Sequence, residues 1–190
     1  ENMQLNIGEY KNRDQYLAES VAQVDRLAAM VNDVLRSGSV AEQALRQEKR
    51  LRIDQLIAEV VDDYHLLAKT RGMTFAVNTE STTIRANRDM IRHVISNLVS
   101  NAVRHGDTGS VITITCDQRE LVIENACRPL TKQQLQHVFD PFYRSSDGTK
   151  QHADSSGIGL YTVKMLLDAK GLDYDFAPHG RGMRFVVRFG

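Results

Sequence analysis

The stretch DMIRHVISNLVSNAVRH, residues 89–105, constrains this chain more than any other. Ile91, Val94, Ile95, Leu98 and Ala102 recur at helical spacing, which predicts a helix over about 88–105 with Asn87 as its N-cap. A helix this apolar along one side must be covered by a second layer. Beside that stripe, Asn97, Asn101, Arg104 and His105 fall at i, i+4, i+7 and i+8 and form one adjoining polar stripe. Asparagine is a weak helix former, because its amide competes for backbone hydrogen bonds. Two of them on one face need a structural or a chemical reason.

The remaining pattern says what the second layer is. Asp54 reads as the N-cap of a helix carrying Ile57, Val60, Val61, Tyr64 and Leu67 on one side. Strands are expected at about 73–78, 83–86, 110–117 and 120–126, the last two separated by the turn-like Asp117 and Gln118. A short helix fits 131–138, a polar loop 144–156, a helix from Gly159, and closing strands 173–177 and 183–189. This is an α+β pattern, best satisfied by a two-layer α/β sandwich with the helices on one face of the sheet. The N-terminal region differs. Leu17, Val21, Val24, Ala28, Val31 and Leu35 alternate steps of four and three, a heptad seam of the kind that joins helices of different chains. Ser37, Gly38 and Ser39 end that helix, and the basic stretch through Arg50 reads as a linker. The expected division is therefore 1–50, a long heptad-patterned helix and linker, and 51–190, the α+β domain. The polar turn around Gly8 and the opening on Glu1 rather than Met mark the sequence as an expected fragment.

Acidic and basic residues balance at 24 each, so no broad field favours nucleic acid or anionic lipid, and any anion site must be built locally. Cys116 and Cys127 make no CxxC pair, which points away from a disulfide framework or zinc site and fits a reducing compartment. No apolar run approaches the roughly 20 residues of a membrane-spanning helix, and no signal peptide is visible.

Three stretches carry candidate chemistry. In the first, the amide stripe, an amide oxygen is a hard ligand suited to Mg²⁺, which takes its other ligands from water and substrate phosphates. Arg104 has the charge to meet a phosphate, and the flat ring of His105 can lie against a base. Taken alone, the stripe favours a plainer account: two solvated amides beside a surface cation. The second is SSGIGLYTV, residues 155–163, where Gly157 and Gly159 precede an apolar helix and would let backbone N–H groups approach a phosphate. It is not a P-loop, which needs GxxxxGK followed by Ser or Thr, and it lacks the preceding strand of a dinucleotide fingerprint. The third is VFDPFYR, residues 138–144, in which Phe139, Phe142 and Tyr143 read as an aromatic anchor and Arg144 stands where the polar loop departs.

In this order the stretches resemble the catalytic domain of bacterial sensor histidine kinases, within the GHKL superfamily of ATP-binding proteins. NLVSNAVRH resembles the N box, FDPFYR the F box and SSGIGL the G2 box, over roughly residues 51–190. Within the family the chain is most similar to the VanS-like kinases. The resemblance implies the Bergerat (GHKL) fold, ATP as substrate, and Mg²⁺ held by Asn101 with Asn97 assisting. It implies Arg104 at a phosphate-binding position and His105 where an aromatic ring stacks on adenine. Gly157, Ile158, Gly159 and Leu160 would cradle the phosphates, with Arg144 near the γ-phosphate. The heptad helix is similar to the second helix of the dimerisation and phosphotransfer hairpin, implying a homodimer. A response regulator is the implied partner, and the implied setting is a cytoplasmic domain whose parent meets the bacterial cell membrane only through segments outside this sequence.

The chain departs from the family pattern in two places. The G1 box, DxGxG in the family, here reads IENACRPL, with Asn125 at the adenine-binding Asp position and Cys127 and Pro129 at glycine positions. Asn125 still accepts from an exocyclic amine but brings no charge, so weaker ATP binding is expected. The closing HGRGMRF puts Met183 where a small hydroxyl residue is usual. None of the six histidines stands in the family's phosphoacceptor context H-E-x-K/R-T-P, so the acceptor is expected upstream of Glu1. Three readings stay open: a histidine kinase, a GHKL ATPase or anti-sigma kinase, and a nucleotide-weak pseudokinase that serves as a docking module. Asn97 favours the kinase over the ATPase, because an amide cannot act as the general base that activates water.

Overall fold

A computed structural model describes residues 48–144 and 157–190; the heptad seam, the linker up to residue 47 and the polar stretch 145–156 lie outside the described residues. The amide-bearing helix, α2 (Arg88–His105), starts as its sequence predicts. Asn87 Oδ1 accepts from the backbone N–H of Asp89 at 2.9 Å and of Met90 at 3.1 Å, satisfying two of the free donors at the helix start. The helix buries Met90, Ile91, Val94, Ile95, Leu98, Val99, Ala102 and Val103, the expected stripe widened by Met90, Val99 and Val103.

The helix beside it, α1 (Ile53–Thr70), begins differently from expectation. Asp54 is not its N-cap: Arg52 occupies that position without a side-chain cap bond. The Asp54 carboxylate instead takes the Arg52 guanidinium, Nε to Oδ1 at 2.8 Å and Nη2 to Oδ2 at 2.5 Å. The cause is a strand that runs straight into the helix. That strand, β1 (Lys49–Arg52), pairs antiparallel with β3 (Thr83–Ala86), and the first helical N–H, of Ile53, goes to the Thr82 carbonyl at 3.0 Å. β1 takes in Lys49 and Arg50, which the sequence places in the linker; with Leu51 its only apolar residue, it shows no strand periodicity of its own. At the far end of α1, Leu67 is 43% exposed and Ala68 is buried in its place, because the stripe from Ile57 and Val60 drifts to Ala68 at 3.6 residues per turn.

The main sheet has five strands in the order β2 (Thr74–Thr79), β4 (Val111–Cys116), β5 (Glu120–Ala126), β7 (Gly182–Arg188) and β6 (Tyr174–His179). β2 runs parallel to β4 and every other pair is antiparallel. Ile112, Ile114 and Cys116 on β4 and Leu121 and Ile123 on β5 alternate with more exposed residues, and with Phe185 and Val187 on β7 they are buried in one core with α1, α2 and α4 (Gly159–Lys170). The architecture is the two-layer α/β sandwich, with helices on one face of a mixed sheet. Between β5 and α4 lies the short α3 (Lys132–His137), set by a capping box in which Thr131 and Gln134 satisfy each other's backbone N–H groups. Gly171 closes α4 at φ 69°, the left-handed conformation that lets its N–H reach back to Leu167 and Asp168.

Candidate functional site

The three stretches singled out in the sequence converge where α2 passes the start of α4. Asn97 donates its amide Nδ2 to the His93 carbonyl at 2.9 Å, one turn back on its own helix. That bond leaves Oδ1 pointing outward, against Gly159: a Cβ built on Gly159 would lie 3.1 Å from it. A side chain on the first residue of α4 would therefore press on the amide stripe. Asn101, one turn further on, is half-buried, and its side-chain amide makes no hydrogen bond to a described residue. Arg104 and His105 occupy the last turn of α2 and are exposed.

Gly157 serves a different purpose. At φ 70°, with its carbonyl accepting from Phe142 N–H at 3.0 Å, it lies so close to the third stretch that a Cβ would stand 2.9 Å from Phe142 C and Tyr143 O. This contact corrects the expected aromatic anchor. Phe139 fills it, meeting Tyr174, Phe176 and Phe185 edge-on with ring centres 5.6, 6.4 and 6.3 Å away. Phe142 does not: it is 56% exposed and has φ 65°, the only non-glycine in the left-handed region among the described residues. Tyr143 is half-buried against His137, with ring centres 5.9 Å apart. The strained turn at Phe142 lets the chain reverse under Gly157. Arg144 is exposed at the end of this segment.

Ile158 is buried and its carbonyl accepts from Thr162 N–H at 2.8 Å, so neither its side chain nor its carbonyl faces a ligand. Leu160 is half-buried against the core. With Gly159, these residues present the N-terminal end of a 12-residue helix, where N–H groups have no partner within the helix and the dipole favours anions.

Asn125 joins the same edge through the sheet. By strand alternation it lies on the helix-facing side with Leu121 and Ile123, in register opposite Met183. Asp107, just beyond α2, donates its N–H to the Ala126 carbonyl at 2.8 Å, tying the end of β5 to the end of α2. A Cβ on Gly182 would sit 2.0 Å from the Asn125 carbonyl oxygen, so the closing glycine is required by strand contact. The buried Met183 accepts the Leu130 N–H on its Sδ at 3.5 Å, and the Asn125 amide meets the Cys127 thiol, whose pKa is pushed up by burial. Asn125 is thus flanked by two sulfur-bearing side chains, Met183 and Cys127.

Sequence reading missed Arg71. Its guanidinium, coming from the end of α1, donates to the carbonyls of Val103, Arg104 and Gly106 at the end of α2. The dipeptide Arg71–Gly72 signals a helix end, but nothing in one dimension says which carbonyls it reaches. Among the described residues no group of three or more His, Cys, Asp or Glu side chains could hold a metal unaided. No helix among the described residues is long and apolar enough to cross a membrane.

Comparison with known proteins gives a consistent answer. Residues 86–190 match the family described as histidine kinase-, DNA gyrase B-, and HSP90-like ATPase. The chain is 34% identical over 188 residues to sensor histidine protein kinase HK06 of Streptococcus pneumoniae, covering 98% of this chain and 42% of that protein. It is 27% identical over 191 residues to sensor protein VanSB of Enterococcus faecalis, covering 97% and 43%. The chain thus spans less than half the length of these relatives. Its fold is that of Acinetobacter baumannii histidine kinase AdeS, with a TM-score of 0.70 at 19% identity, covering 92% of this chain and 83% of that one. A structure of histidine kinase ThkA in complex with response regulator protein TrrA matches at TM-score 0.68 and 18% identity, covering 99% of this chain and 54% of that one. With the family match running from residue 86 to the last residue and taking in every stretch that meets at the α2–α4 edge, the chain belongs to the histidine kinase-, DNA gyrase B- and HSP90-like ATPases, as the ATP-binding catalytic domain of a sensor histidine kinase.

Proposed function

We propose that the chain binds Mg-ATP at the edge formed by α2, the start of α4 and the end of β5. From there it transfers the γ-phosphoryl group to a histidine in an H-E-x-K/R-T-P context, which none of its own six histidines has. The observation that carries this is the contact between Asn97 Oδ1 and Gly159, which sets the amide stripe against a helix N-terminus. Triphosphate lying across that junction meets the start of α4, with the backbone of Gly157, Ile158, Gly159 and Leu160 on one side and Arg104 on the other. Arg144 approaches the γ-phosphate from the F-box side, His105 lies against the base, and Asn125 accepts the exocyclic amine.

The residues present fit Mg²⁺. Asn101 is a half-buried amide without a described hydrogen-bond partner, and Asn97 keeps its oxygen free of its own helix. Asn101 would ligate the ion and Asn97 would assist through water or phosphate, the rest of the shell coming from phosphate and water. When bound, the ion would neutralise charge on the β- and γ-phosphates. The protein's own part is positioning: phosphoryl transfer asks chiefly for alignment and charge neutralisation. An amide at position 97 also withholds a base from water, sparing ATP for a docked imidazole.

In the parent protein, the 1–50 segment supplies the second helix of a dimerising hairpin and the 51–190 unit the catalytic domain. The phosphoryl group passes to a response regulator, a partner class that ThkA is seen to bind. Membrane attachment comes only through segments outside this chain. Titration calorimetry with Mg-ATP on the chain itself tests the core of this proposal. Saturable binding supports it, whereas no heat at millimolar nucleotide returns the chain to the docking-module reading that Asn125 invites. Mixing the chain with a separately prepared histidine-bearing hairpin should then yield acid-labile phosphate on that hairpin; rapid ATP turnover without it would favour the ATPase class.

A further inference from the structure

The turn of α2 that carries Arg104 and His105 is its last, and the last turn of a helix is where carbonyls lose their partners and the chain frays. Gly106 N–H returns to the Ala102 carbonyl at 2.9 Å, which satisfies one of the four. Two of the others, those of Val103 and Arg104, are met from outside the helix. Arg71 does this from another element: Nη1 donates to the carbonyls of Val103 and Arg104, the latter at 2.5 Å, and Nη2 to that of Gly106 at 3.0 Å. A planar fork with several donors spans these carbonyls, and its positive charge meets the negative end of the helix dipole.

Arg71 is itself held firmly. Its backbone N–H donates to the Ala68 carbonyl at 3.0 Å, its carbonyl accepts from Gly109 N–H at 3.1 Å, and Met73 N–H returns to Ala68 at 2.9 Å. Gly106 adds to the crowding, because a Cβ there would meet Met73 Cε at 2.5 Å and the Ala102 carbonyl at 2.6 Å. The carbonyl of Arg104 is thus clamped directly by Arg71, and His105 lies between two clamped residues.

We infer that Arg71 is a positioning residue for nucleotide binding: it locks the terminal turn of α2 so that Arg104 and His105 are held in place before ATP arrives. This inference rests on the proposal that this turn faces the nucleotide. Its physical content is preorganisation. Without the clamp, the turn would be ordered only at the moment of binding, and the entropy of ordering it would be subtracted from affinity.

A plain structural role is the competing account, since α1 and α2 are also joined by Arg88–Glu59, by Arg92–Asp63 at 2.7 Å and by Tyr64–Ser96 at 3.0 Å, all away from the helix end. Those contacts provide the control. Mg-ATP and Mg-ADP affinities are measured by titration calorimetry, well below the melting temperature, for the wild-type chain, Arg71→Ala, Arg71→Lys and Arg88→Ala. Arg71→Ala should weaken both nucleotides about tenfold and Arg71→Lys about threefold, the lysine keeping the charge but not the fork, as expected for loss of a terminal cap. Arg88→Ala should stay within about twofold of wild type, because surface ion pairs contribute little. Wild-type affinity in Arg71→Ala, or an equal loss in Arg88→Ala, overturns the inference. If Arg71→Ala does not fold, Arg71→Lys decides: a reproducible loss of affinity supports the role and wild-type affinity removes it. Failure of the wild-type chain to bind either nucleotide would instead overturn the proposed function on which the inference rests.

Discussion

Gly157 and Gly159 stand two residues apart and are glycine for different reasons, which predicts different responses to the same change. Gly157 has φ 70° and no room beside the Phe142–Tyr143 backbone. Gly157→Ala should therefore lower stability by about 1–3 kcal/mol, read as a fall in melting temperature. Gly159 opens a helix without a positive φ, so Gly159→Ala carries no backbone strain and should melt close to wild type. Its new methyl group would still press on Asn97 Oδ1 from 3.1 Å. Calorimetry should then show weaker Mg-ATP binding by a protein of near wild-type stability; unchanged affinity would mean that this junction is not where phosphate lies. Asn97→Asp tests the other face of the contact. A carboxylate there can take a proton from water, and ATP hydrolysis should rise about a hundredfold, the low side of what a positioned base supplies. At this scale the sequence already displayed the residues and their spacing. It did not display that Phe142, a large aromatic in an aromatic motif, would be the exposed and strained member while Phe139 does the anchoring.

At the scale of elements, legibility followed periodicity. α2 has a full apolar stripe and an asparagine cap, and its ends lie where the sequence predicts them. β5 and β3 likewise match, each with alternation of its own. β1 has none, and it forms because β3 offers it an edge. Its presence displaced Asp54 from capping to an ion pair, which has a consequence for pH. The Arg52 guanidinium holds the Asp54 carboxyl at about 2, below the ordinary 3.8. A carboxyl depressed on folding contributes stability that is present above its unfolded pKa and lost as pH falls through the folded one. The melting temperature of wild type should exceed that of Asp54→Asn at about pH 5, and the gap should close between about pH 4 and pH 2. A gap that stays constant across that range would show that the pair contributes nothing to the start of α1.

Across the whole molecule, contacts between distant parts of the chain decide how the two layers are joined. Lys170, at the last turn of α4, pairs with Glu48 at the threshold of β1, 122 residues away, and both side chains are mostly shielded from water. The pair ties the segment that enters the domain to the far end of the helix whose near end meets Asn97. Lys170→Glu should lower the melting temperature, and the double exchange with Glu48→Lys should recover much of the loss, with a coupling of about 1 kcal/mol. Additive effects would show that the two charges do not act together.

Hydrophobic period, cap residues and the order of three motifs were enough to determine the α+β class, the helical layer and the family, and to nominate residues for the proposed site, because each is a property of neighbours along the chain. Strand order, the parallel entry of β2, the ribbon that begins at β1, the aromatic that anchors and the one that does not, and the clamp of Arg71 on the end of α2 were decided only in three dimensions. Each depends on a partner tens of residues away, and the free energy of such a contact is set by what the fold brings to it rather than by the residue's own sequence context.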